Sequence, residues 1–95
     1  MSTLLANAEI QTKLSYLQGW SFQDNHIAKT FILASFPKAI AFVTVTGMLA
    51  EVADHHPDMT IQYNRVTIQL STHSAGGVTQ KDFDLAAGIE ASLTA

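Results

Sequence analysis

Cysteine is absent from the sequence, which excludes disulfides, thiolate catalysis and every thiolate metal site. Basic charge is scarce: five Lys and Arg stand against eight Asp and Glu, for a net charge of −3 at pH 7. The basic residues form no cluster, which argues against a footprint on a nucleic-acid backbone. No apolar run approaches about 20 residues without polar interruption, so no membrane span is expected. The opening MSTLLANAEIQ lacks the basic start and long apolar run of a secretory leader, and a soluble, cytoplasmic protein is expected. There is no internal repeat, no linker, and no serine in a recognisable nucleophile motif.

What remains suits one compact domain spanning residues 1–95. Hydrophobic residues make up 47% of the chain, enough for a core. A domain of 95 residues still buries a limited share of its surface, which makes self-association a natural way to hide more.

Hydrophobic period divides the chain. TLLANAEIQTKLSYLQG spaces Leu5, Ile10, Leu14 and Leu17 about one helical turn apart, with Gly19 as a stop. In WSFQDNHIAKTFIL, Ile27, Lys29, Phe31 and Leu33 alternate after an Asp24-Asn25 pair, the pattern of two strands around a tight turn. SFPKAIAFVTVTGMLAEVADHH reads as a second helix. Ser35 caps it, Pro37 sits harmlessly in the first turn, and Pro57 ends it near His55 and His56. MTIQYNRVTIQLSTH reads as a second hairpin turning at Asn64-Arg65, with Val66, Ile68 and Leu70 on one face. After the loop SAGGV, TQKDFDLAAGIEASL forms a last helix, and Thr79 with Asp82 resembles a capping box. The order αββαββα implies an α+β fold: a four-stranded antiparallel sheet with three helices on one face.

The histidines are the chemical feature. DHHPD places His55 and His56 between Asp54 and Asp58, and His73 precedes the Gly76-Gly77 loop. A helix end and a strand end can meet at one rim of the sheet, with Glu51, Asp54 and Asp82 as the acids within reach. Three histidines and a carboxylate suit zinc, but adjacent histidines chelate poorly, since helical ligands repeat at i and i+4. A histidine at a helix C-terminus is also explained by the helix dipole alone. The third reading is acid–base chemistry, since imidazole titrates near neutrality and a carboxylate can fix its tautomer. The residues by themselves stop at a proton-transfer site of unknown substrate.

EVADHHPD, YNRV and STHSAGGVTQKDFDLA, with LQGW upstream, resemble the pterin-4a-carbinolamine dehydratase family from about Leu17 to Glu90. The pairing of DHHP with a later TH, GG and D is the specific part. The resemblance implies the same αββαββα fold. It also implies loss of water from a 4a-hydroxytetrahydropterin to give the quinonoid dihydropterin, which recycles the cofactor of aromatic amino acid hydroxylases. It implies no metal and no organic cofactor. By position, His55, His56 and His73 would be the active-site histidines. Glu51, Asp54 and Asp82 would be their acidic neighbours, and Pro57 and Ser71, Thr72 and Ser74 would contact substrate. His55 and His73 are expected as the acid–base pair, His56 as a binding group, and Asp82 as the residue that orients His73. The family forms dimers and tetramers, so a homodimer or homotetramer is expected. Met59 stands where animal members carry an aromatic residue. Two other functions follow from the same resemblance. Some animal members bind a homeodomain transcription factor, which would make the chain an interaction module. A pterin-binding relative could instead act on another pterin, as in the molybdenum cofactor pathway. An exposed apolar stripe on FPKAIAFVTVTGMLA would mark helix-to-helix assembly.

Overall fold

The computed structural model describes residues 3–94. Three α-helices and four strands follow in the order α1 (Asn7–Leu14), β1 (Ser21–Gln23), β2 (His26–Ile32), α2 (Phe36–Ala53), β3 (Asp58–Gln62), β4 (Arg65–Leu70) and α3 (Gln80–Thr94). A one-turn 3₁₀ helix, His73–Ala75, lies between β4 and α3. The strands form one antiparallel sheet in the order β1-β2-β4-β3. The expected architecture is the observed one.

Alternation along the strands decides which face is covered. Ile27 and Phe31 of β2 and Val66, Ile68 and Leu70 of β4 point inward and are buried with Ala39, Phe42 and Ala50 of α2 and Phe83, Leu85, Ala86 and Ile89 of α3. Trp20 joins this core edge-on to Phe31, ring centroids 5.9 Å apart. The opposite face is polar. Thr30, Thr67 and Thr60 lie in cross-strand register there, and the Thr30 and Thr67 hydroxyls are 2.9 Å apart.

The connections follow local chemistry. Asp24 and Asn25 both take positive φ, 53° and 64°, so β1 and β2 close with a two-residue loop between Gln23 and His26. The second hairpin turns one residue earlier than expected: Gln62 pairs with Arg65, and the loop is Tyr63-Asn64, with Tyr63 at φ 54°. Asn64 is retained in the turn because its Nδ2 donates to the Leu33 carbonyl (2.9 Å) while its own carbonyl accepts from Leu33 N–H (2.8 Å). Helix α1 is shorter than its apolar spacing suggested. It ends at Leu14, and Leu17 reaches the core from the turn that follows.

Helix α2 begins as expected, with Ser35 Oγ accepting from Lys38 N–H at 3.3 Å and Pro37 in the first turn. Its end differs. The last helical residue is Ala53, and Asp54 adopts a left-handed conformation at φ 50°. Asp54 N–H donates to Glu51 O and His55 N–H donates to Ala50 O, the paired bonds of a Schellman termination. His55 and His56 therefore follow the helix instead of ending it. α2 is apolar around most of its circumference, yet only Ala39, Phe42, Thr46 and Ala50 are buried. On the side away from the sheet Phe36, Ile40, Val45, Met48 and Val52 are exposed, Val52 to 89%.

Candidate active site

The site is built where α2, β3, the 3₁₀ turn and the start of α3 meet. Asp82 is its fixed point: fully buried, at the third position of α3. Its Oδ2 accepts from Thr79 N–H (2.9 Å), and Lys81 N–H donates to Thr79 Oγ1 (3.2 Å). Asp82 supplies the reciprocal bond of the expected capping box, while the Thr79 hydroxyl caps the second N–H of the helix instead of the third. Oδ2 also accepts from the Thr72 hydroxyl at 2.9 Å, and Thr72 Oγ1 lies 2.7 Å from Thr79 Oγ1. The Thr72 hydrogen is committed to the carboxylate, so Thr79 must donate to Thr72. Every lone pair used at Oδ2 is therefore held by the fold.

The other oxygen, Oδ1, lies 2.6 Å from His55 Nε2, whose ring is 11% exposed. An ionised carboxylate only accepts, so opposite it Nε2 is the donor, and in the neutral imidazole Nδ1 is then the acceptor. This corrects one expectation: Asp82 orients His55, not His73. It corrects a second as well. The Thr72 side chain is 3% exposed and spent on Asp82, so it supports the site from behind instead of facing a ligand. Both follow from α3 packing against α2 on the helix-covered face, a long-range placement that the sequence spacing does not reveal.

His56 goes the other way. Because the helix has already ended, the adjacent rings are directed to different sides of the sheet's end. His56 Nε2 lies 2.9 Å from Glu51 Oε1, both side chains largely exposed. It lines a small hollow of ≈110 Å³ on the uncovered face together with His73, Ser71, His26, Asp58 and Gln69. His55 lines a separate, more apolar groove between α2 and α3, with Leu49, Val52 and Lys81.

His73 opens the 3₁₀ turn instead of ending a strand, since β4 stops at Leu70. Thr72 bridges Gly77 across that turn, with Thr72 N–H donating to Gly77 O at 2.8 Å. Gly76 closes it in the left-handed region at φ 78°, which a glycine adopts at no steric cost. A Cβ on Gly77 would come within 2.8 Å of Leu4 Cδ2 and 3.9 Å of Asn25 Cβ. The glycine thus leaves room for the Leu4 side chain against the 3₁₀ turn, and Asn25 of the β1–β2 turn lies at ordinary contact distance on the same side.

Of the residues expected at the site, His56, His73 and Ser71 share the hollow, and His55 and Asp82 form a dyad behind it. Glu51 holds His56. Asp54 contributes through its backbone as the helix stop, with its side chain exposed; Pro57 is half-buried beside His56, and Ser74 is exposed in the 3₁₀ turn. Sequence reasoning missed His26, Asp58 and Gln69. Alternation puts each on the uncovered face, but only the β2–β4 and β3–β4 registers bring them together. Among the described residues no group of three or more His, Asp or Glu side chains is arranged to hold a metal ion.

Residues 3–92 match the family model for pterin 4 alpha carbinolamine dehydratase. A protein of Roseiflexus sp. (strain RS-1) named "Putative pterin-4-alpha-carbinolamine dehydratase" is 57% identical over 90 residues, covering 95% of this chain and 97% of its own length. A protein of the same name from Sulfolobus acidocaldarius is 47% identical over 78 residues, 82% of this chain and 86% of its own. Among solved structures, the transcriptional coactivator/pterin dehydratase from Brucella melitensis superposes with a TM-score of 0.88 at 36% identity, covering 92% of this chain and 95% of that one.

Proposed function

Since the chain belongs to the pterin 4 alpha carbinolamine dehydratase family and is with it a lyase acting on a pterin, we propose that it dehydrates 4a-hydroxytetrahydropterin by histidine acid–base catalysis. The observation that carries this reading is the His55–Asp82 dyad, an imidazole held at 2.6 Å by a carboxylate that is itself fully buried. A base oriented by a third group is the arrangement that proton transfer requires.

In the reaction the C4a–O bond breaks, the proton on N5 is removed, a C4a=N5 double bond forms, and the hydroxyl leaves as water once protonated. The flat ring would lie across the rim of the sheet, with His55 on the helix side and His73 on the uncovered side. One ring takes the N5 proton at a neutral nitrogen and the other delivers a proton to the leaving oxygen. Asp82 stabilises the imidazolium that forms on His55 and keeps Nδ1 free to exchange. His56, tied to Glu51, binds the substrate edge. Each transfer is worth on the order of 10²–10⁴-fold. The quinonoid product is the form that a reductase returns to the tetrahydropterin, so the reaction closes a cofactor cycle.

Assembly belongs to the same proposal. An α2 that is apolar on both sides is stable only when the outer side is also covered, and a second copy of the helix provides a matching surface for a homodimer or homotetramer. A protein-docking module without this activity is the second reading, and the same exposed face of α2 favours it.

The test is the rate of quinonoid formation from freshly prepared 4a-hydroxytetrahydropterin, followed by absorbance. His55→Ala and His73→Ala should each lower kcat, and His56→Ala should raise KM. A His56→Ala enzyme that loses kcat at unchanged KM would reverse the assignment.

A further inference from the structure

The hydroxyl bonds around Asp82 run in one direction, and that direction is set by a residue that lines neither the hollow nor the groove. Thr79 is 1% exposed. Its Oγ1 accepts from Lys81 N–H at 3.2 Å and lies 2.7 Å from Thr72 Oγ1. A hydroxyl has a single hydrogen to give. Thr72 spends its own on Asp82 Oδ2 at 2.9 Å, so the shorter contact is a donation from Thr79 to Thr72. Thr79 N–H also donates to Oδ2, at 2.9 Å. Thr79 therefore reaches Oδ2 by two routes, through its own backbone and through Thr72. With Oδ2 held by both, the plane of the carboxylate is fixed and Oδ1 is left to His55 Nε2. Thr72 directly precedes His73 and opens the 3₁₀ turn. The same pair of hydroxyls thus ties the turn that carries His73 to the acid that holds His55.

We infer that Thr79 is a positioning residue for the His55–Asp82 dyad, acting through Thr72 without touching substrate. The competing account is a helix cap alone, since Thr79 precedes Gln80 at the start of α3. A cap needs only an acceptor for a free helix N–H, and the bond from Lys81 meets that need. It has no use for the hydrogen that Thr79 gives to Thr72. Without that hydrogen a buried lone pair on Thr72 is unmatched, which favours any rotation that finds it a partner. Thr72 then turns from Oδ2, and the carboxylate loses a donor that fixes its plane. The consequence for rate rests on the dehydratase reading: both proton-transfer rings lose alignment, while the His56–Glu51 contact is untouched.

The experiment compares three variants well below their melting temperatures. Thr79→Val keeps the branched shape without the hydroxyl, Thr79→Ser keeps the hydroxyl, and Thr72→Val breaks the chain while leaving the α3 cap in place. One readout is kcat and KM for dehydration of 4a-hydroxytetrahydropterin. The other is the His55 Nε2–H resonance in ¹⁵N-histidine-labelled protein, which does not depend on activity. Thr79→Val and Thr72→Val should each lower kcat about tenfold, the worth of a buried hydrogen bond, with KM within about twofold of wild type. Both should broaden the His55 resonance through exchange with solvent. Thr79→Ser should keep kcat within about threefold of wild type and the resonance sharp. In an Asp82→Asn background, Thr79→Val should add less than about twofold, because the two act through one contact. Valine variants that melt lower but keep wild-type kcat and a sharp His55 resonance would overturn the proposal and leave Thr79 a cap. A further tenfold loss on top of Asp82→Asn would overturn it too. A wild type that does not accelerate dehydration would remove the dehydratase reading, and the His55 resonance alone would then decide the positioning.

Discussion

Replacing Asp82 by Asn separates its two tasks. The side chain keeps its shape, and one amide oxygen can still accept from Thr79 N–H and the Thr72 hydroxyl, which occupy Oδ2 in the wild type. The NH₂ group then replaces Oδ1 and faces His55 Nε2 at 2.6 Å. Two donors cannot share that contact, so the imidazole must move its proton to Nδ1 or swing away. Either change removes the acceptor that the proposed mechanism uses, as in other enzymes where an Asp that orients a catalytic His is replaced by Asn. We expect kcat to fall on the order of 10²–10⁴-fold. The mismatched buried contact should cost about 1–3 kcal/mol, and with about 4–8 °C per kcal/mol for a domain of this size thermal unfolding should shift down measurably. The dehydration assay and a thermal melt on the same sample report both quantities. A variant that melts lower but keeps kcat within about twofold of wild type would refute the dyad and leave Asp82 as a helix cap only.

Three further outcomes follow from the packing. Thr46 is fully buried in α2 with its hydroxyl unpartnered, so Thr46→Val should raise stability by about 1 kcal/mol; an unchanged or lower denaturation midpoint would contradict this. Glu90 Oε2 accepts from Trp20 Nε1 (2.9 Å) and Lys29 Nζ (2.6 Å). Glu90→Ala leaves the buried indole N–H unpaired and should cost about 1–3 kcal/mol, read from the denaturation midpoint together with a shift in Trp20 fluorescence. If α2 is the proposed assembly surface, Met48→Glu together with Val52→Glu, at positions 64% and 89% exposed, should leave only monomer in light scattering where wild type shows a dimer or tetramer. A wild type that is already monomeric would exclude α2 as the assembly surface.

Much of the fold was legible because local rules agreed with the tertiary structure. Ile27 and Phe31 alternate as a half-buried strand must, Ser35 and Pro37 mark a helix start, and Thr79 with Asp82 marks another. The misreadings arose where a residue does what its type seldom does. Asp54 takes the left-handed position that glycine usually fills at a helix end, so α2 stops before the histidines. Tyr63 takes a positive φ in the second hairpin, which moves the turn by one residue. The candidate site was legible as a set of residue types and not as a geometry. The motif pointed to His55, His56, His73 and Asp82, but which acid meets which ring depends on how α3 docks on α2. His26 is 30 residues away from His56 in sequence and becomes its neighbour only through strand register.

The most direct test of the account is a single comparison of dehydration rates. Wild type, with and without chelator, and the double variant His55→Ala/His73→Ala are mixed with 4a-hydroxytetrahydropterin, and quinonoid formation is followed. The account predicts a chelator-resistant acceleration in wild type that falls to the buffer rate in the double variant. A double variant that retains the wild-type acceleration would contradict histidine acid–base catalysis at this site.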